Sequence, residues 1–175
     1  HILYGKGNKA ERDSSYAAWM ESLYKKYPDN DEVASFYSLA LNGWGTTEQD
    51  NSILEKAAVI AFEVLDRNPV HPGALHYIIH AYDNPDFAAR AVATADKYAL
   101  VAPDAGHALH MPTHTYLALG QMEKVISSKE FSWAAKQKRK ERKKKWKKKI
   151  QKTKDKTLKT IRAVMAKREI SGNDI

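Results

Sequence analysis

Two segments of the chain repeat the same pattern of residues at an interval of 34 positions. His76 and His80, which are four residues apart, recur as His110 and His114 with the same spacing. Three surrounding residues also recur, since Leu75, Tyr82 and Pro69 return as Leu109, Tyr116 and Pro103. A fixed interval of this length is typical of stacked supersecondary units that bury their apolar faces only against their neighbours. The repeat therefore predicts a fold built by stacking such units.

The spacing of the apolar residues predicts helices throughout, with short clusters of Pro, Gly and Asn between them. We expect helices over 14–27, 31–41, 51–66, 72–82, 85–101 and 106–119, and a seventh that starts near Gln121 and continues into the C-terminal tail. Proline inside a helix removes a backbone donor. Pro112 therefore predicts either a kink in the sixth helix or a helix that begins near Leu109, which would place His107 in a loop.

The repeated residues resemble the tetratricopeptide repeat family, whose unit is a 34-residue helix-turn-helix. The matching positions are Leu75, Ile78, Ile79 and Tyr82, then Leu109, Thr113 and Tyr116, the alanine pairs Ala57/Ala61 and Ala91/Ala95, and the closing prolines Pro28, Pro69 and Pro103. The resemblance implies an all-α fold, a right-handed superhelical array (an α-solenoid) of about three antiparallel helix hairpins. The interval from Pro28 to Pro69 is 41 residues, so we expect about seven extra residues in a loop over 43–50.

Charge divides the chain into an acidic and a basic part. Residues 136–175 hold 18 Lys and Arg against 4 Asp and Glu, whereas residues 1–135 hold 11 against 17. Such asymmetry predicts two parts with different roles. We therefore expect a repeat domain over 1–135 and a basic, partly helical tail over 136–175.

Several classes of protein are disfavoured by the sequence. The chain has no Cys, which excludes disulfides and thiolate nucleophiles, and it lacks the motifs of zinc proteases, phosphate-binding loops and nucleophile elbows. It has no apolar run long enough to span a bilayer and no signal-peptide pattern. Both a cytoplasmic and a periplasmic location fit these features. Because the chain begins with His1, and because it also resembles bacterial tetratricopeptide-repeat proteins of unassigned function, we expect a fragment of a longer array.

The first helix of each unit lines a concave groove in this family, so the resemblance implies the residues that face it. These residues are Glu32, Ser35, Leu39, Asn42, Gly73, His76, His80, Asp83, His107, His110, His114 and Leu117. Helical spacing agrees, because residues at i, i+3, i+4 and i+7 share one stripe of a helix. His71 is expected to be a turn residue.

Three hypotheses account for the groove histidines. In the first, His76, His80, His110 and His114 bind zinc, copper, nickel or iron, either as a simple metal site or as a metal-dependent enzyme that activates water. In the second, the rings form a polar surface that recognises a peptide or an acidic segment. In the third, each ring makes structural hydrogen bonds. We favour a non-catalytic scaffold that binds a partner protein or peptide and has no resident cofactor.

The tail also allows three interpretations. It contains the exposed-type cluster Lys143, Lys144, Lys145, Lys147, Lys148 and Lys149. This cluster predicts contact with nucleic acid or an anionic membrane surface through electrostatic attraction. The alternatives are a solvated, partly disordered extension, or a segment foreign to the repeat family at a chimeric or frame-shifted junction.

Overall fold

The computed structural model describes residues 2–171, apart from the side chains of 163, 164 and 166–171. The helices are α1 (Lys9–Lys26), α2 (Asp31–Glu48), α3 (Asn51–Arg67), α4 (Pro72–Ala81), α5 (Val92–Val101), α6 (Gly106–His110), α7 (Pro112–Ala118) and α8 (Met122–Ser171), with a 3-10 turn at Ala88–Ala91 before α5. The described residues contain no strand, and the predicted all-α class is confirmed. The predicted tail extends to residue 175, so its last four residues lie outside the described part.

Side-chain caps set where the first three helices begin. Asn8 accepts a hydrogen bond from the Glu11 backbone N–H at 2.9 Å, and the Glu11 carboxylate accepts one from the Asn8 N–H at 3.0 Å. This reciprocal capping box satisfies two backbone groups that the helix end leaves without partners, so α1 starts at Lys9 and the predicted start at Ser14 was too late. Asn30 and Asp50 cap α2 and α3 in the simpler way.

The predicted loop over 43–50 is wrong, because α2 continues as a helix to Glu48. The chain turns at Gln49, which has a φ of 56°, and Asp50 then caps α3 directly. Gly45 lets α2 approach α3 closely, since a Cβ at this position would lie 2.9 Å from Leu54 Cδ2 and 3.2 Å from Ile53 Cβ. The extra residues of the first unit therefore lengthen a helix pair rather than form a loop.

Two other helix predictions also needed revision. The predicted helix over 85–101 is regular only in α5, and the 3-10 turn before it buries Ala88 and Ala91. The predicted helix over 106–119 is interrupted between α6 and α7. Met111 keeps helical dihedral angles (φ −54°, ψ −38°), but Pro112 has no N–H to donate to the preceding turn. The kinked alternative is therefore the one observed, and His107 lies within α6 rather than in a loop.

Consecutive helices pack against each other, and the first helices of neighbouring units also touch. α2 contacts α4, and α4 in turn contacts α7. The core consists of two apolar clusters that share α4: Ile78 packs in a cluster with residues of α1, α2 and α3, whereas Ile79 packs in a cluster with residues of α5, α6 and α7. α4 is thus the element that joins one unit to the next.

The chain divides into two compact units, His1–Ala135 and Lys136–Ile175. The first contains α1 to α7 and the beginning of α8. The described part of the second is helical, and its side chains are almost all exposed. Among the described residues, no helix is both long enough and apolar enough to cross a bilayer.

Candidate functional site

His71 is separate in role from the other histidines. It is buried and caps α4, because its Nδ1 accepts the Ala74 N–H at 3.1 Å. A ring nitrogen that accepts has no proton, so the proton of the neutral ring lies on Nε2. That atom is 3.5 Å from Glu32 Oε1. His71 is therefore a structural residue of the turn, as expected.

His76 lies at the centre of a close group of imidazole rings. Its Nε2 atom is 3.0 Å from Nε2 of His80, one turn further along α4, and 3.1 Å from Nε2 of His107 on α6. On its other sides, the His76 ring stacks against Tyr77 and Tyr98, with centroid distances of 5.6 and 5.7 Å. The structure thus brings together three ring nitrogens from two helices on an aromatic floor.

The remaining two rings of the histidine cluster belong to α6 and α7. His114 Nδ1 is 2.8 Å from Asp83 Oδ2, and the His114 ring centroid is 6.0 Å from that of His80. His110 is adjacent, with its ring 5.2 Å from His114 and its Nδ1 3.4 Å from Thr113 Oγ1. The five rings (His76, His80, His107, His110 and His114) form one continuous cluster, which we call the histidine cluster.

Burial and neighbouring charge give these rings different protonation behaviour. Desolvation lowers the pKa of His76 to about 4, and the nearby His80 and His107 rings act in the same direction. Desolvation also lowers the pKa of His80, followed by the effect of His114. The hydrogen bond to Asp83 raises the pKa of His114, although burial opposes it. At neutral pH His76 is therefore a neutral ring with a lone pair.

The predicted groove residues of α2 fall into two groups. Glu32 and Leu39 are exposed, but Ser35 and Asn42 are buried and therefore cannot meet a partner as expected. The Asn42 amide instead donates to the Tyr77 carbonyl oxygen at 3.1 Å and links α2 to α4. The resemblance placed these two positions on the groove, but the packing of α2 on α4 covers them.

Phe36 is an exposed residue that the sequence analysis missed. Its side chain is 46% exposed, which is high for a phenylalanine, and it continues the stripe of Glu32 and Leu39 at helical spacing. That spacing was visible in the sequence, because positions i, i+4 and i+7 share one face. The resemblance assigned Ser35 instead, one residue away.

The tail lysines and the metal hypothesis are described by two further observations. Lys143, Lys144, Lys145, Lys147, Lys148 and Lys149 are all exposed on α8. Within the part of the chain that the structure describes, no group of three or more His, Cys, Asp or Glu side chains is already arranged around one point as metal ligands are.

Comparison with solved structures identifies a similar fold. The chain is similar to the structure named MamA MSR-1 C2, a tetratricopeptide-repeat-containing protein, with a TM-score of 0.58 and 18% sequence identity. The match covers 74% of this chain and 71% of that one. The fold is tetratricopeptide-repeat-like. No protein-family model and no curated protein matches the sequence, and at this level of identity the similarity establishes the fold alone.

Proposed function

We propose that this protein is a scaffold whose first helices bind a segment of a partner protein. The supporting observation is a stripe of exposed and half-buried side chains on α2, α4, α6 and α7, which we call the first-helix wall. Its members are Glu32, Phe36, Leu39, His76, His80, Asp83, His107, His110, His114 and Leu117.

The packing of α4 supports a continuous wall. Ala74 and Ile78 belong to the cluster shared with α2, and Ile79 belongs to the cluster shared with α7. The side of α4 that carries His76 and His80 is left between these two contacts and remains accessible. Because α2 contacts α4 and α4 contacts α7, the accessible sides of these helices are neighbours.

The chemistry of the wall indicates what kind of segment it would bind. Phe36, Leu39 and Leu117 expose apolar surface, with exposed fractions of 46%, 37% and 57%. Exposed apolar side chains rimmed by polar ones are characteristic of interaction sites. The imidazoles add groups that donate to carbonyl or carboxylate oxygens. The expected ligand is therefore a peptide segment with apolar side chains followed by hydrogen-bonding or acidic ones.

A peptide-display selection on the full chain tests this proposal. Selected peptides are resynthesised, and their affinity is measured by fluorescence anisotropy for the wild type, Leu39→Arg and Leu117→Arg. Leu100→Arg is the matched control, because Leu100 is 79% exposed on α5, a second helix. We expect the two wall variants to weaken binding at least tenfold and the control to leave it unchanged. Equal effects of all three variants, or no selected peptide, would contradict the proposal.

The basic tail supports a second, independent activity, the binding of nucleic acid. Its six exposed lysines lie within one stretch of α8, and neutralising phosphates with such side chains releases counterions. Anisotropy with a labelled DNA duplex should show affinity that falls with salt at a slope of about −0.9 per phosphate contacted. Replacing these lysines with glutamine should remove both the affinity and the slope. Anionic vesicles form the parallel arm, and an affinity that survives the replacement would refute a role for the tail.

A further inference from the structure

The contacts of His76 cannot all be satisfied by protons. The Nε2 atom of a neutral imidazole has either one proton or one lone pair in the plane of the ring. At His76 this single atom faces two nitrogens within hydrogen-bonding distance, those of His80 and His107. One good hydrogen bond accounts for one of these contacts and leaves the other as two polar atoms in contact without a shared proton.

A metal ion would satisfy all three nitrogens at once. Zinc–nitrogen bonds of about 2.0–2.1 Å in a tetrahedral arrangement separate two ligand nitrogens by about 3.3–3.4 Å. The nitrogen–nitrogen distances of 3.0 and 3.1 Å at His76 are within a few tenths of an ångström of that separation. Because the three rings do not yet surround one point, binding requires only that they turn about their side-chain torsions.

Asp83 and His114 provide the kind of support that metal ligands commonly have. A histidine that binds metal through one nitrogen usually donates the proton on the other to a carboxylate, which fixes the tautomer and the orientation of the ring. His114 Nδ1 is 2.8 Å from Asp83 Oδ2, so the lone pair lies on His114 Nε2. That ring is next to His80, with 6.0 Å between centroids.

We propose that His76, His80 and His107 bind one divalent transition-metal ion through Nε2, with His114, oriented by Asp83, as the fourth ligand. A set of imidazoles without a directly bound carboxylate favours zinc, copper or nickel over magnesium or calcium, which prefer oxygen ligands. The set differs from the one predicted from the sequence in that His107 replaces His110. The inference is independent of the proposed partner binding.

The experiment uses the full chain, stripped with EDTA, exchanged into metal-free buffer and titrated with zinc chloride in a calorimeter. We expect one zinc per chain. His107→Ala should abolish stoichiometric binding, whereas His110→Ala, three residues away on the same short helix, should leave it intact. Asp83→Asn should weaken zinc binding by about 10–100-fold, as removal of such a supporting carboxylate typically does.

Two further measurements keep the test decisive if a variant misfolds. In the wild type, long-range ¹H–¹⁵N NMR of the imidazoles should show zinc shifting the Nε2 resonances of His76, His80 and His107. Leu39→Arg, a variant of the first-helix wall outside the histidine cluster, should bind zinc normally. Absence of stoichiometric zinc, unshifted Nε2 resonances, or equal loss in His107→Ala and His110→Ala would overturn the proposed site. Unchanged affinity in Asp83→Asn would remove His114 from the ligand set.

Discussion

Truncating either of two adjacent isoleucines of α4 should destabilise different halves of the repeat domain. Ile78 and Ile79 are both fully buried, but their side chains belong to separate apolar clusters. In an array of stacked units, stability is approximately the sum of the units and their nearest-neighbour interfaces. A cavity in one cluster should therefore loosen mainly the helices that line it.

The size of the effect follows from the atoms removed. Ile→Ala deletes three carbons, which at about 0.8 kcal/mol each amounts to about 2.4 kcal/mol of lost burial. The remaining cavity adds to this, so each variant should lose about 2–5 kcal/mol of unfolding free energy in urea denaturation. Ile126→Ala is the control, since Ile126 is 59% exposed on α8 and should change stability by less than about 0.5 kcal/mol.

Native-state hydrogen exchange then locates the effect. Ile79→Ala should lower protection in α5, α6 and α7 more than in α1 and α2, and Ile78→Ala should give the reverse pattern. If both variants lower protection uniformly, the domain unfolds as one unit and the two-cluster description of its energetics is incorrect. A loss below about 1 kcal/mol for either variant would show that the cluster can collapse around the cavity.

Three further predictions concern single positions. Gly43→Ala should stabilise α2 by about 0.5–1 kcal/mol, because Gly43 is helical with open space around it, whereas Gly45→Ala should destabilise by about 1–3 kcal/mol through overpacking against α3; urea denaturation of the pair measures both. His71→Ala should cost about 0.5–2 kcal/mol through loss of the α4 cap, and His71→Asn should recover most of it in the same assay. In EDTA, stability should fall as pH drops from about 6.5 toward 4, because the unfolded chain protonates His76 near its ordinary pKa of 6.5 and the folded chain resists until about 4. Since the ring is partly exposed, His76→Gln should reduce that fall by only about 1–2 kcal/mol, and an identical pH profile in both proteins would contradict the low pKa.

The sequence predicted the helices best where punctuation and periodicity agree. Pro28, Pro69 and Pro103 each follow a helix closely, and the repeated pattern placed α4 within one residue of its observed end. The errors lie where a local signal was outweighed. The start of α1 was missed because the Asn8–Glu11 capping pair was overlooked, and α2 was ended too early because its glycines were taken as a stop.

The histidine cluster could be predicted in outline but not in detail. The 34-residue interval correctly indicated that histidines of α4 would lie near those of the following first helix. Which ring contacts which depends on the break before Pro112 and on the side-chain torsions, neither of which spacing alone determines. His107 therefore contacts His76 directly, and the pairing of His114 with Asp83 had no signal in the sequence beyond proximity.

The length of α2 shows how a repeat protein can accept an insertion. Seven added residues correspond to nearly two full turns at 3.6 residues per turn, so the helix faces beyond them keep the same angular orientation. The next unit can then stack as though nothing had been added. Unit lengths in such arrays are therefore free to drift in steps of whole turns, while insertions of five or nine residues would rotate the following face away from its neighbour.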